Sequence, residues 1–331
     1  MEAAARHATE RCGTPAGPAS ARAADCRPAA RRGRQPAGAC DLLVQIPAYR
    51  DPQLVHTLDS LFAQAAAPGR IRVRVCWQCA PRDRLPRRYA DAANVEIDRV
   101  DYRDSRGANW ARRRVQKAWR GEPYSLICDS HLRFARHWDR RLVGMLQGLR
   151  AAGVERPIVT GYPPDFDPRT YPAGRSQAPL KMYKEAYVDG LLAHFAGFEL
   201  PLWTWLKAPI PAQFLALGFL FSEGRFNLDV PIDPRIYFFG DEITTGLRAY
   251  CHGYDFYHPH RVLAWHAYDR TTRGTHWSDH GDWRARDRGS LARVRRILCG
   301  QEYRGYPLGR RRSIASYERW IGMPLVLEPA P

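Results

Sequence analysis

In the first half of the chain, segments with the apolar pattern of strands alternate with segments that have the apolar spacing of helices. Short apolar or alternating runs predict strands at 42–46, 70–77, 95–100, 124–128 and 157–160. Between the strands, apolar residues recur at helical spacing over 54–65, 109–119 and 138–149. Strands that alternate with helices are typical of a mainly parallel α/β sheet in three layers. Ligands of such sheets bind beyond the carboxyl ends of the strands, so we expect a functional site at that edge.

The second half is less regular. We predict one or two strands over 214–222, a helix from residue 241 to about 250, and a late strand over 262–266. A stretch rich in Pro, Asp and Arg over 163–179 predicts a long loop at the active site. The arginine-rich segment 284–319 is expected to be helical.

Residues 1–40 contain no Val, Ile, Leu, Phe, Tyr or Trp. A segment of this composition cannot bury enough apolar surface to offset the loss of chain entropy. We therefore expect a disordered tail over 1–40, an α/β domain over 41–280, and an arginine-rich extension over 281–331 that packs on the domain or trails it.

The formal charge of +17, from 51 Lys and Arg against 34 Asp and Glu, attracts polyanions. An alternative class is therefore a basic nucleic-acid-binding protein without catalysis. The sequence contains no helix-turn-helix, zinc-finger or RNA-binding signature, and its arginines are spread widely. We do not expect nucleic acid as a partner.

The eight cysteines follow no disulfide spacing, which is typical of a reducing, cytoplasmic compartment. No apolar run reaches 18 residues, so no transmembrane segment is expected.

The most informative motif is Asp129-Ser130-His131, directly after the predicted strand 124–128. A carboxylate and an imidazole two positions apart at a strand end can share one divalent cation, and Mn²⁺ accepts both oxygen and imidazole ligands. Such a cation neutralises a leaving diphosphate. An isolated Asp-x-His triplet more often caps a turn. The interpretation as a metal site therefore rests on the placement of the motif after a buried strand.

Further polar residues follow other predicted elements. Asp241 and Glu242 open a helix after Gly240, where acids also simply complement the helix dipole. His266 ends the late strand and is a candidate only if the fold brings it to Asp129. Tyr49-Arg50-Asp51 ends the first strand, and Arg106 and Arg112 flank a helix start that suits phosphate.

In their shared order, these motifs resemble the GT-A-fold polypeptide (hydroxyproline) N-acetylglucosaminyltransferases. The resemblance runs from about residue 41 to 270. It rests on the segments 46–51, 57–62, 124–134, 138–139, 230–234, 239–243, 253–259 and 266–270.

The resemblance implies a UDP-sugar donor, a divalent cation (Mn²⁺ or Mg²⁺) and transfer with retention of anomeric configuration. It places the metal and the diphosphate at Asp129 and His131, with His266 as a further ligand. The nucleotide and donor would contact the residues Tyr49, Arg50, Asp51, Arg112, Trp138, Asp139 and Gly240.

The same resemblance makes Asp241 and Glu242 the catalytic residues that face the sugar and the acceptor hydroxyl. The family usually carries Gly-Glu-Glu, and Gly240-Asp241-Glu242 is one methylene shorter at its first acid. UDP-GlcNAc is the expected donor, and a GT-A transferase with another donor sugar is the alternative. The acceptor is a hydroxyl-bearing peptide, glycan or small molecule.

Overall fold

A computed structural model describes residues 40–327 of the 331-residue chain, so most of the predicted 1–40 tail lies outside the described residues. The described strands are β1 (Leu42–Tyr49), β2 (Ile71–Cys79), β3 (Val95–Asp101), β4 (Tyr124–Cys128), β5 (Leu132–Phe134), β6 (Pro157–Thr160), β7 (Leu180–Val188), β8 (Leu191–Glu199), β9 (Ile210–Ala212), β10 (Phe219–Glu223), β11 (Asp255–His258) and β12 (Ala264–His266). The described α-helices are α1 (Leu54–Gln64), α2 (Arg87–Ala90), α3 (Ala108–Gln116), α4 (Trp138–Ala151), α5 (Phe226–Asp229), α6 (Asp241–Cys251), α7 (His276–Asp279), α8 (Trp283–Leu298) and α9 (Ile314–Ile321).

The central sheet has eight strands in the order β3-β2-β1-β4-β10-β6-β11-β9. Strands β3, β2, β1 and β4 are all parallel, and β11 is parallel to β6. Strand β10 runs antiparallel between β4 and β6, and β9 is antiparallel to β11 at the edge. The structure contains the predicted α/β sheet, and near the centre of the sheet β10 runs opposite to its two neighbours.

Alternate residues of the central strands supply two separate cores. Leu126 and Phe221 pack with α1 and α4, whereas Ile127 and Leu220 pack with α6, α8 and α9. Because successive side chains of a strand point to opposite faces, helices cover both faces of the sheet. The arrangement is therefore the three-layer one expected from the sequence.

The first strand continues past Pro47, where the sequence predicts its end. Its pairing with β4 stops at Gln45, while its pairing with β2 continues to Tyr49. A proline cannot donate a backbone hydrogen bond, and Pro47 lies beyond the last residue that β4 pairs. The extension carries Tyr49 to the edge of the sheet.

The arginine-rich C-terminal segment contributes to the core. Val294, Ile297 and Leu298 of α8 and Tyr317 of α9 are buried against the α6 face of the sheet. Residues 299–313 between these two helices are irregular, so the expected continuous helix is interrupted. Among residues 40–327, no helix has the length and apolar character needed to cross a bilayer.

Candidate active site

Asp129 follows β4 directly, at the point where β4 and β10 separate. Its backbone N–H donates to the Gly218 carbonyl oxygen at 3.1 Å. A Cβ on Gly218 would lie 2.7 Å from Asp129 Oδ2, so a larger residue there would displace this carboxylate. Gly218 was not predicted to belong to the site, since a glycine before an apolar strand carries little signal by itself.

A small second sheet brings two histidines to Asp129. Strands β5 and β12 pair so that His266 lies opposite Leu132, and Ala267 N donates to the His131 carbonyl oxygen at 3.0 Å. His266 Nε2 lies 3.2 Å and His131 Nε2 3.9 Å from Asp129 Oδ2. The three side chains thus offer one ligand atom each, all within 4.8 Å of one another.

Asp51 orients His131. The Asp51 carboxylate is 8% exposed and lies 2.7 Å from His131 Nδ1, and it also accepts from Ser130 Oγ at 2.5 Å. A hydrogen bond at Nδ1 fixes the tautomer and leaves Nε2 with its lone pair toward Asp129. Asp51 thus contacts the candidate metal ligand His131 directly, and its predicted contact with the nucleoside stays a prediction.

The protonation states suit a cation. Burial raises the pKa of Asp129, but the hydrogen bond with His266 and the charge of Arg112 outweigh it and leave the pKa well below its ordinary value. Burial and the neighbouring His131 lower the pKa of His266 to about 4. At neutral pH the cluster therefore presents a carboxylate and a neutral imidazole, and metal ligands require these forms.

Arg112 links this cluster to the acidic pair of α6. Its guanidinium lies 3.4 Å from Asp129 Oδ1 and donates to Asp241 Oδ2 at 2.9 Å. It is 8% exposed and is held from behind by Asn109 Oδ1 at 3.1 Å. The cation of α3 thus joins two carboxylates that are 112 positions apart in the sequence.

Glu242 has different surroundings. Its carboxyl oxygens accept from Leu217 N at 2.9 Å and from Tyr162 Oη at 2.5 Å. Burial and repulsion by Asp241 raise the pKa of Glu242 to about 8, against the opposing hydrogen bond from Tyr162. Glu242 is therefore mostly protonated at neutral pH, and it can donate as well as accept a hydrogen bond.

Two tyrosines that the sequence analysis did not select complete the cleft. Tyr162 follows β6 and bonds Glu242, and the ring of Tyr268 packs against that of His266, with centroids 4.0 Å apart and planes tilted by 39°. Tyr268 Oη donates to Pro163 O at 2.8 Å, so it ties the 163–179 loop to the site. His266 is also pinned there, because its N–H donates to Pro164 O at 2.9 Å.

The end of β1 is covered by α7. Tyr49 Oη donates to Asp279 Oδ2 at 2.8 Å, and Arg50 pairs with the same carboxylate at 2.6 Å. The ring of Tyr49 lies 5.2 Å from that of His276. Tyr49 and Arg50 remain near the sheet edge, and here they bind a segment of the chain itself.

Two residues predicted to contact substrate make contacts within the fold. Trp138 is fully buried and donates from Nε1 to Leu61 O at 2.9 Å. Asp139 accepts from the N–H groups of Ala66 and Ala67 at 2.7 and 2.9 Å. Both residues hold the end of α1 against the start of α4, and their predicted contact with the nucleotide stays a prediction.

Gly240 is also needed for packing. Its φ is +89°, and a Cβ there would come within 2.6 Å of the Val294 side chain in α8. Glycine therefore permits both the left-handed turn and the close approach of α8. The left-handed conformation and the contact with α8 by themselves account for a glycine at this position. The predicted contact of Gly240 with the donor stays a prediction.

The fold is that of the GT-A-type glycosyltransferases, and a cluster of possible metal ligands lies at the end of β4. The sequence model of the glycosyltransferase (GlcNAc) family matches residues 41–91 and 79–326, and the chain belongs to this family. The expected class of enzyme and its fold are thereby confirmed. No protein of curated function matches this chain in sequence.

Solved structures share the fold at low identity. The structure of GalNAc-T7 with UDP, GalNAc and Mn²⁺ has a TM-score of 0.54 and 12% identity, over 86% of this chain and 55% of that chain. The structure of Staphylococcus aureus TarS has a TM-score of 0.50 and 12% identity, over 84% of this chain and 42% of that chain. This chain thus spans about half the length of either similar structure.

Proposed function

We propose that the protein is a metal-dependent glycosyltransferase that moves GlcNAc from UDP-GlcNAc to a hydroxyl acceptor. The observation that carries the proposal is the convergence of Asp129, His131 and His266 at the end of β4. In an α/β sheet this edge is where nucleotide ligands bind. The GlcNAc family membership and the resemblance to hydroxyproline N-acetylglucosaminyltransferases support the choice of donor and of a hydroxyl acceptor.

The cluster fits a divalent cation by its donor set. His131 keeps Nε2 free because Asp51 holds Nδ1, and Asp129 is ionised beside it. One carboxylate oxygen with two imidazole nitrogens suits Mn²⁺ better than Mg²⁺, which prefers oxygen ligands. When bound there, the cation would offset the negative charge of a departing diphosphate.

The acidic pair would act on the sugar and the acceptor. A protonated Glu242, held by Tyr162 and Leu217, can donate to a substrate oxygen, while Asp241 stays paired with Arg112. Arg112 thereby sets the distance between the metal cluster and the acidic pair. We propose transfer with retention of anomeric configuration and without a covalent intermediate.

The test is UDP release from UDP-GlcNAc, UDP-GalNAc, UDP-Glc and UDP-Gal, with Mn²⁺ and then with a chelator. We expect metal-dependent release that is greatest with UDP-GlcNAc and lost in Asp129→Ala. The matched control is Asp59→Ala on α1, whose carboxylate pairs with the exposed Arg88. Release that persists with chelator, or in Asp129→Ala, contradicts the metal assignment.

A different donor sugar is the second candidate, because Asp241 is one methylene shorter than the usual glutamate of the motif. If Asp241→Glu raises release from UDP-GlcNAc and lowers it from the preferred sugar of the wild type, this shorter acid sets the donor. If no UDP is released from any of the UDP-sugars, calorimetry with UDP and Mn²⁺ is the next measurement. Binding would indicate that the acceptor is missing from the assay, and no binding would indicate that the chain has no nucleotide site.

A further inference from the structure

A basic cavity lies beside the candidate active site, between α3, α8 and the segment 234–237. Its volume is about 750 Å³, which is in the range of ligand pockets. Five arginines line it and no Asp or Glu does: Arg106, Arg235, Arg286, Arg293 and Arg296. Arg106, which the sequence offered for phosphate, belongs to this lining, whereas the proposed metal ligands Asp129, His131 and His266 do not.

Two of these arginines are neutralised and three are not. Arg293 Nε pairs with Asp233 at 2.7 Å and its guanidinium covers the ring of Tyr303 at 3.5 Å. Arg286 pairs with Asp282 at 2.8 Å. Within residues 40–327, the side chains of Arg106, Arg235 and Arg296 make no hydrogen bond or ion pair with another residue.

The three free guanidinium groups come from separate segments and share one cavity. Arg106 precedes α3, Arg235 lies in the segment before α6, and Arg296 is on α8. All three residues are exposed to solvent, and their positive charges attract an anion that enters the cavity. Guanidinium groups bind phosphate through paired, parallel hydrogen bonds.

Helix α8 leaves room for such a ligand. Between its arginines the cavity wall is made of small residues, including Gly289, and a Cβ built there meets nothing within 4 Å. The lining also includes Trp110 and Tyr237. The small residues of α8 leave a slot between the arginine side chains that an extended anion can enter.

We propose that this cavity is a second anion site, separate from the donor site, that binds a ligand carrying at least two phosphate groups. Three unpaired guanidinium groups match the charge of an oligophosphate or a short phosphodiester chain. Tyr237 of the lining contacts α7, because its hydroxyl group lies 2.6 Å from His276 Nδ1. The inference does not depend on the proposed sugar transfer.

The test is calorimetric titration with tripolyphosphate, in chelator and without nucleotide, so that neither metal nor donor takes part. In the double variant Arg235→Ser/Arg296→Ser we expect binding to weaken at least about tenfold, since each lost guanidinium removes a charge-assisted contact. The control Arg141→Ser/Arg319→Ser removes the same charge from exposed positions and should change the affinity less than about twofold. Equal weakening in both double variants, or no binding by the wild type, overturns the proposal.

Two further experiments test whether binding depends on the shape of the cavity as well as on its charge, and which kind of phosphate compound binds. Gly289→Trp keeps every arginine and fills the slot, so it should abolish tripolyphosphate binding while Gly289→Ala retains it. A short abasic phosphodiester oligomer that competes with tripolyphosphate indicates a polymer-borne ligand, whereas failure to compete indicates a free oligophosphate. If Gly289→Trp binds as the wild type does, the cavity is not the site. UDP and Mn²⁺ binding, measured on the same variants, should be unchanged.

Discussion

Asp129 and Glu242 are both partly buried in the same cleft, yet the pKa of Asp129 is lowered and the pKa of Glu242 is raised. Burial disfavours the charged form of each. The hydrogen bond with His266 and the charge of Arg112 nevertheless keep the pKa of Asp129 low, whereas the neighbouring Asp241 raises the pKa of Glu242 to about 8. The comparison shows that neighbouring charges, and not depth alone, decide which carboxyl group is ionised.

Arg112 contributes to this difference. Its guanidinium contacts Asp129 and Asp241 but not Glu242, and its charge helps to lower the pKa of Asp129. Burial nevertheless raises the pKa of Asp241, as it does that of Glu242, against the charge of Arg112. The difference between Asp129 and Glu242 assigns different chemistry to the two sides. An ionised carboxylate suits a metal, and a protonated carboxyl group suits a hydrogen bond to a neutral sugar or hydroxyl.

The largest effect is expected from Arg112→Met. Without the cation, the partly buried carboxylates of Asp129 and Asp241 lose their shared partner and repel each other, so kcat/KM should fall about 10³-fold. Arg114→Met on the same helix is the control, because Arg114 pairs with Asp98 away from the cleft. Steady-state UDP release measures both variants; similar losses in the two would remove Arg112 from the account.

Glu242→Gln should lower kcat about 10²-fold and change the dependence of stability on pH. In the wild type the folded-state pKa of about 8 lies above the ordinary 4.5, so the native state holds a proton that the unfolded state releases. The free energy of unfolding of the wild type, relative to Glu242→Gln, should therefore fall as pH rises from about 5 to about 8. It should be constant outside that window.

Chemical denaturation at several pH values measures this difference. Glu185→Gln on the exposed side of the β7–β8 hairpin is the control and should follow the wild type across the window. A relative stability that rises with pH would show that Glu242 is ionised in the native state.

Asp51→Asn should weaken Mn²⁺ binding by 10- to 100-fold while the fold is kept, since the bond that fixes His131 is altered and the ligand itself remains. Titration of Mn²⁺ into protein with UDP measures the change. The control is Asp59→Asn on α1. Unchanged Mn²⁺ affinity in Asp51→Asn would mean that His131 is not a ligand or does not need orientation.

The smallest effect is expected from Tyr162→Phe. The lost hydrogen bond had lowered the pKa of Glu242, so that pKa should move further upward and kcat should fall a few-fold. The pH profile of kcat is the readout, with Tyr183→Phe on the exposed face of β7 as the control. An alkaline limb that moves to lower pH would contradict the assigned direction.

Much of the first half of the fold was predictable because most strands there are distinct apolar or alternating runs. Tyr124–Cys128 and Pro157–Thr160 have the predicted bounds, since both strands are buried between layers. The β7–β8 hairpin was missed. One face of it is exposed, and a register shift between Lys184 and Ala186 breaks the period of two.

The candidate site was predictable only in part. The order of the motifs directed attention to Asp129, His131 and His266, and the structure brings their side chains together; their role as ligands stays a prediction. The predicted contact of Trp138 with the nucleotide also stays a prediction, and burial in the core already accounts for this residue. Contacts such as that of Tyr162 with Glu242 join residues 80 positions apart, which periodicity cannot detect.

The most direct test of the account is pulsed EPR of Mn²⁺ bound to the protein with UDP, which detects nitrogen nuclei in the coordination sphere. We predict coupling to two imidazole nitrogens in the wild type and in the control His56→Ala, and to one in His131→Ala and in His266→Ala. Bound Mn²⁺ without nitrogen coupling, or coupling unchanged in both ligand variants, would contradict a cation held by Asp129, His131 and His266.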